Sequence, residues 1–239
     1  MQVHIYESAQ QVGQAAATLF AAQIIRKPDS VLGLATGSSP IGCYQQLIAW
    51  HRAGVLDFSQ CVSYNLDEYC SLPEAHPCSY HAFMKEQLFD FINMKASFVP
   101  NGNAPDLQAE CARYDAAIQA AGGIDMQLLG IGRNGHIGFN EPAGRFVYGT
   151  QIVNLTESTI QANRRFFDSE KDVPRQAISL GIGGIMAARE VVLIAMGEDK
   201  AQAIRDMVRG DITPDVQASI LRSHPHATIL VDKAAASLL

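Results

Sequence analysis

The stretch LGLATGSSPIGCYQQL, residues 32–47, contains the change of pattern that decides the fold. Its first residues belong to the short apolar run VLGLA (31–35), which reads as a buried strand. The turn Thr36-Gly37-Ser38-Ser39 follows, and a helix is expected from Pro40 to about Arg52. Ser39 suits the N-cap, and Pro40 suits the first helical position, where its missing N–H is no loss.

The same alternation extends in both directions. Upstream, VHIY (3–6) precedes a helix from Ser8 in which Val12, Ala16, Leu19 and Phe20 recur at helical spacing. Downstream come a strand at CVSYNL (61–66), helices near 79–91 and 106–121, and a strand at MQLLGIG (126–132). The second half offers TQIVNL (150–155), AISLGIG (177–183) and VVLIAM (191–196), then a helix near 199–209 and the strand ATILVD (227–232). Continuous apolar strands separated by helices predict an α/β fold, with a mostly parallel central sheet flanked by helices on both faces. No linker, low-complexity tract or repeat divides residues 1–239, so one domain is the simpler reading.

The totals narrow the function. Hydrophobic residues make up 48% and charged residues 18% of the chain, the balance of a globular protein. A formal charge of −6 argues against a nucleic-acid partner. No apolar run approaches the roughly 20 residues of a membrane span, and the start shows no basic-then-apolar secretory signal. Cys43, Cys61, Cys70, Cys78 and Cys111 are scattered without a CxxC, which reads as reduced cytoplasmic thiols rather than disulfides or a zinc site. The pair His224 and His226, with Pro225 between them, is a weak metal motif, and no metal is expected.

Open α/β sheets bind ligands beyond the carboxyl ends of their strands. Four such places carry chemistry, and in a parallel sheet they share one edge. Thr36, Gly37, Ser38 and Ser39 could form a phosphate cradle of hydroxyls and helix-start N–H groups, although the stretch equally reads as a capped helix. Lys200 follows VVLIAMGED and could add a point charge for phosphate, or could be a solvated helix lysine. Arg164 and Arg165, in ANRRFFDSEKD, could clamp a phosphate or line a charged surface helix. Asp67 and Glu68 end the strand CVSYNL, and alternation predicts that one of the two enters the cleft, where a carboxylate suits abstraction of a carbon-bound proton. The loop GIGRNGHIGFNEPAG (130–144) sets His136 among glycines, with Glu141 five residues on to orient an imidazole that titrates near neutrality.

In this order and spacing, LGLATGSSP, NLDEY and GIGRNGHIGFNEP resemble the glucosamine-6-phosphate deaminase family, and RRFFD and MGEDKAQAI fit the same pattern. The resemblance covers nearly the whole chain. It implies a Rossmann-like domain that converts glucosamine 6-phosphate and water to fructose 6-phosphate and ammonia in amino-sugar catabolism. No cofactor is implied, the partner is a small sugar phosphate, and monomer and homo-oligomer both remain open. Asp67 takes the position of the enolisation base, and Asn134, His136 and Glu141 those of ring opening. Thr36, Gly37, Ser38, Ser39, Arg165 and Lys200 are expected around the phosphate, and segment 154–175 corresponds to a mobile lid. Some members carry aspartate in place of Asn134. Regulated members carry a basic pair where this chain has Gln151 and Val153, so activation by an acetylated sugar phosphate is not expected.

Two rivals differ in class. A 6-phosphogluconolactonase shares the fold and a Gly-His loop, but its histidine is typically followed by a Ser-Leu-Phe-Pro type segment, whereas this chain has Phe139-Asn140-Glu141-Pro142. A non-catalytic sugar-phosphate sensor would need a DNA-binding module, for which the strand-first N-terminus leaves no expected room, and would not need Asp67, His136 and Glu141 together.

Overall fold

The computed structural model describes residues 1–164, 167, 169 and 172–239, without the side chains of residues 158, 162 and 163. In chain order the elements are β1 (Gln2–Tyr6), α1 (Ala9–Arg26), β2 (Val31–Leu34), α2 (Ile41–Arg52), β3 (Val62–Asn65), β4 (Asp67–Tyr69), α3 (Tyr80–Gln87), β5 (Ala96–Phe98) and α4 (Leu107–Ala120). They continue with β6 (Met126–Leu129), β7 (Gln151–Asn154), α5 (Glu157–Asn163), β8 (Gln176–Ser179), α6 (Ile182–Met186), β9 (Glu190–Ala195), α7 (Ala201–Arg209) and β10 (Ala227–Asp232).

Seven strands form one parallel sheet in the order β1-β10-β9-β6-β2-β3-β5. Every residue of β2 and β6 is buried, as expected where helices cover both faces. From β2 the chain steps outward through β3 to β5. From β6 it steps the other way, through β9 to β10. The strand order therefore reverses between β2 and β6, which opens a crevice at their carboxyl ends. Right-handed crossovers put α2, between β2 and β3, and α4, between β5 and β6, on opposite faces. Tyr64 shows which way β3 is turned: its phenol donates to Ala117 O of α4 at 3.2 Å, and its ring meets Tyr114 edge-on.

The structure corrects three expectations. The segments TQIVNL and AISLGIG do not join the parallel sheet. They supply β7 and β8, which pair antiparallel with β4 in a second sheet of three strands. The cause is a bend at Leu66, whose carbonyl accepts the Leu180 N–H at 2.7 Å and draws β8 over the carboxyl edge of the main sheet. Edge strand β5, with Phe98 exposed and only three residues long, has no apolar run to announce it. Ser39 makes no cap bond. Pro40 occupies the N-cap and α2 begins at Ile41, with Tyr44 N–H donating to Pro40 O at 3.0 Å. By contrast, the Ser8 hydroxyl caps α1 by accepting the Gln11 N–H. Among the described residues no helix is long and apolar enough to cross a membrane.

Candidate active site

The four strand ends singled out in the sequence follow β9, β6, β2 and β3, which are consecutive neighbours in the sheet. After β2, Gly37 takes φ +91°, and Ser38 and Ser39 border a cavity of about 470 Å³ together with Ile41, Gly42, Gln10 and Met196. The first N–H groups of a helix have no partners within it, so the start of α2 offers donors at this mouth. Ser39 also touches the loop after β6, lying 3.8 Å from where a side chain on Gly130 would begin.

The loop after β6 is folded tightly. Gly132 N–H donates to His136 O at 2.9 Å, and Gly135 N–H to Gly132 O at 3.0 Å. The His136 ring lies on Gly132, where a Cβ would stand 2.3 Å from the nearest ring atom, so the glycine is required for close approach. Glu141 is reached from two sides. His136 Nδ1 lies 3.3 Å from Glu141 Oε2, and Asn134 Nδ2 donates to the same oxygen at 2.7 Å. Thr159 Oγ1 donates to Glu141 Oε1, and the Thr156 hydroxyl, which caps α5, lies 3.3 Å from it. Burial alone would raise the Glu141 carboxyl. The close contact with His136 and its charge, with hydrogen bonds from Thr159 and Asn134, outweigh it and hold the group down at about 2. Glu141 is thus an anion at neutral pH, placed beside an imidazole one-fifth exposed.

The rest of the loop is pinned to β8 and faces Asp67. Phe139 N–H donates to Ser179 Oγ at 3.0 Å, and Asn140 Nδ2 donates to Ile137 O and Leu180 O at 2.9 Å each. Ser179 is also the register partner of Asp67. Gly138, at φ +57°, passes so close that a Cβ there would stand 3.0 Å from Ser179 Oγ and 3.6 Å from Asp67 Oδ2. Gly138 follows His136 by two residues, so the two Cα atoms are at most about 7.6 Å apart. The Asp67 carboxyl therefore abuts the loop that carries His136.

Adjacent Asp67 and Glu68 are buried but turned to different tasks. Glu68 Oε1 accepts the N–H groups of Tyr69 and Tyr80 at 2.8 and 2.9 Å, and Oε2 accepts that of His81 at 2.9 Å. It therefore satisfies the start of α3, where an anion is favoured. Asp67 is 6% exposed. Burial, and then the Glu68 charge, push its carboxyl up to about 8, and a hydrogen bond from Thr36 draws it back only in part. Thr36, expected at the phosphate, thus bears on the acid as well.

The remaining expected residues divide. Lys200 Nζ lies 3.9 Å from Asp199 Oδ2, which also accepts Arg133 Nε at 2.9 Å, so the loops after β9 and β6 are joined. Arg165 lies outside the described residues, as does part of the expected lid at 154–175. His224 is buried, with Nε2 2.9 Å from Ala188 O and Nδ1 accepting the His226 N–H, an arrangement that shapes a turn. Sequence reading missed Thr156, Thr159 and Ser179. Only Thr156 left a trace, as an N-cap residue directly before a helix.

A family model described as glucosamine-6-phosphate isomerases/6-phosphogluconolactonase matches residues 6–231. The chain belongs to this family. Within the isomerase/lactonase family it is 52% identical to glucosamine-6-phosphate deaminase of Halothermothrix orenii, with all of both chains covered. It is 51% identical to that of Clostridioides difficile, over all of this chain and 97% of the relative. Among solved structures, a monomeric glucosamine-6-phosphate deaminase superposes with a TM-score of 0.98 at 45% identity over the full length of both chains. The 6-phosphogluconolactonase of Trypanosoma brucei shares the fold at a TM-score of 0.74 and 19% identity, a more distant relation.

Proposed function

We propose that this chain is a glucosamine-6-phosphate deaminase, converting glucosamine 6-phosphate and water to fructose 6-phosphate and ammonia. The observation that carries the reading is the Asp67 carboxyl set against Gly138, in the loop that also holds His136 beside Glu141, at the edge where β2 offers the start of α2. Identity near one half with full-length deaminases supports it.

The phosphate is held by Gly37, Ser38 and Ser39 with Lys200, and Arg165 is assigned to the same shell. His136, oriented by Glu141 and Asn134, gives a proton to the ring oxygen and takes one from the C1 hydroxyl, which opens the ring. The aldehyde acidifies C2–H. Asp67 removes that proton, O1 is protonated as the enol forms, and Asp67 returns its proton to C1. The resulting C2 iminium adds water and expels ammonia, leaving the ketose. A carboxyl raised to about 8 is a stronger base than an exposed aspartate once ionised. The substrate's ammonium group, arriving beside it, favours the ionised form. Thr159 and Thr156 bond to Glu141 from α5, so the start of the 154–175 segment acts as a lid whose position is felt at the imidazole. With none of the five cysteines in a disulfide, the reading places the enzyme in the cytoplasm. Ammonia release from glucosamine 6-phosphate in a coupled assay tests the reading, and hydrolysis of 6-phosphogluconolactone without ammonia release from the amino sugar would replace it with the lactonase.

Two further outcomes are expected. Asn134→Asp sets a second carboxyl against Glu141, at a position where an amide now donates at 2.7 Å. The added charge favours protonated His136, so the pH–rate profile shifts while kcat stays within about tenfold of wild type. Complete loss of turnover would count against this account of residue 134. Saturation curves are expected to be hyperbolic and unmoved by N-acetylglucosamine 6-phosphate. Gln151 is engaged with Asn140 at 3.0 Å and Val153 packs in a hydrophobic cluster, so neither supplies positive charge. A sigmoidal curve made hyperbolic by that ligand would refute this.

A further inference from the structure

Strand β3 buries polar atoms that have nothing to bond. Ser63 and Asn65 are 0% and 1% exposed, and the Ser63 hydroxyl and both amide atoms of Asn65 lack hydrogen-bond partners among the described residues. Buried polar atoms are nearly always satisfied, and an unpaired one is destabilising relative to an apolar group of the same shape. The backbone does not need the Asn65 side chain. Its own carbonyl accepts the Tyr114 phenol at 2.7 Å, the Leu66 N–H donates to Leu34 O at 3.1 Å, and the strand is paired in register with β2. The cross-strand neighbour is Leu34, so for stability alone a leucine would suit position 65.

What marks the position is Asp67, two residues on. Tyr64 turns towards α4, so strand alternation puts Ser63 and Asn65 on the opposite face, the one covered by α2 and α3. Asp67 lies just beyond that end of the strand, where its charge bears on Tyr44 of α2, Tyr80 of α3 and Tyr114 of α4, and Thr36 bonds its carboxyl. Across the bend at Leu66 the Cα atoms of Asn65 and Asp67 are at most about 7.6 Å apart, a separation that one water can bridge between an amide and a carboxyl. An amide is suited to this task because it has both a donor and an acceptor. The NH2 group can donate towards a carboxylate, and the carbonyl can accept from a carboxylic acid.

We propose that Asn65 is a positioning residue for Asp67: its buried amide, on the α2–α3 side two residues before the acid, is linked to the Asp67 carboxyl through water and donates towards it, which favours the ionised form. The inference rests on the reading of Asp67 as the enolisation base. The groups facing Asp67 are Glu68 and Tyr69 on β4, Tyr44 on α2, Tyr80 on α3 and Tyr114 on α4, and the loop after β6 meets it at Gly138. Burial keeps the tyrosines neutral through the assay range, and Glu68 remains in every variant below.

The test is the pH dependence of kcat/KM for ammonia release by wild type, Asn65→Leu, Asn65→Val and Asn65→Ser. Removing a donor to the anion disfavours it, so the two apolar variants move the acid limb to higher pH by about 0.5–1 unit. At pH 7 kcat/KM falls about 3- to 10-fold while Tm holds or rises. Serine, which can again bond a water, recovers at least half of the displacement. An acid limb in the apolar variants that coincides with wild type overturns the proposal. So does a serine variant displaced as far as leucine, or a fall in Tm in both apolar variants, which would make Asn65 a stabilising residue. Wild-type ammonia release and its loss in Asp67→Asn check the underlying reading separately. Their failure would strike the reaction assignment rather than the role of Asn65.

Discussion

Asp67→Asn is expected to lower turnover of glucosamine 6-phosphate by at least about 10³-fold while substrate still binds. The amide keeps the shape of the carboxyl but cannot accept the C2 proton, so exchange of that hydrogen with solvent deuterium stops. The same substitution is expected to stabilise the fold in alkaline solution, and the sign follows from the raised carboxyl. Between pH of about 4, where an unfolded aspartate titrates, and about 8, where buried Asp67 does, the native state holds the extra proton. Stability therefore falls as pH rises through that window, and the full penalty is present above it. A tenfold change in proton affinity corresponds to about 1.4 kcal/mol, so the penalty at pH 9 is on the order of 5 kcal/mol at most. Asparagine carries no charge and escapes it. Tm of Asp67→Asn should exceed wild type at pH 9, and the gap should close towards pH 4. Continued deuterium wash-in at C2, or a variant less stable than wild type at pH 9, would remove Asp67 from the role of buried base.

His136→Gln is expected to reduce turnover by about 10²- to 10⁴-fold, through a different step. Ring opening is assigned to the imidazole, so the variant depends on the small fraction of sugar that opens unaided. Its affinity for the reduced, open-chain alcohol of the substrate, which needs no opening, should match wild type. A variant that loses this affinity as completely as its turnover would show His136 to be a binding residue instead. Glu141→Gln should resemble it with a smaller loss, because the glutamine keeps the contacts with Thr159 and Asn134 but not the charge beside the ring. The stability part again has a sign. Glu141 is held down at about 2, so its ionised form stabilises the fold above the usual glutamate range. That contribution is lost as pH falls from about 4.5 towards 2.

How much of this was legible along the chain depends on distance. The change from a four-residue apolar run to a capped helix at residues 31–52 is local, and β2 and α2 appear where that pattern puts them, apart from a one-residue displacement at Ser39 and Pro40. The four chemistry-bearing strand ends were legible for the same reason, because parallel strands carry their ends to one edge. β5 was not legible, since an exposed edge strand of three residues needs no apolar run. Nor was the antiparallel sheet, because β7 and β8 are apolar enough to be strands without stating which partner they choose. Long-range pairing with β4, bounded by Leu180 N–H to Leu66 O at one end and Cys70 N–H to Gln176 O at the other, takes β8 away from the main sheet and lays it beside Asp67.

Sequence alone determined the class of fold and the family, and named candidates to hold a phosphate or move a proton, since composition, period and motif spacing are written along the chain. Strand period could not tell Asp67 from Glu68, and only the family resemblance favoured Asp67. They are neighbours of like chemistry, and the strand pleat turns one to the start of α3 and the other to Gly138. Tertiary structure alone decided that the Thr36 hydroxyl serves an acid, that Thr159 reaches Glu141 from 18 positions away, and that one buried carboxyl is raised while another is lowered. The proton affinity of an acid is set by the groups and solvent around it, and those are chosen by packing between segments far apart in the chain.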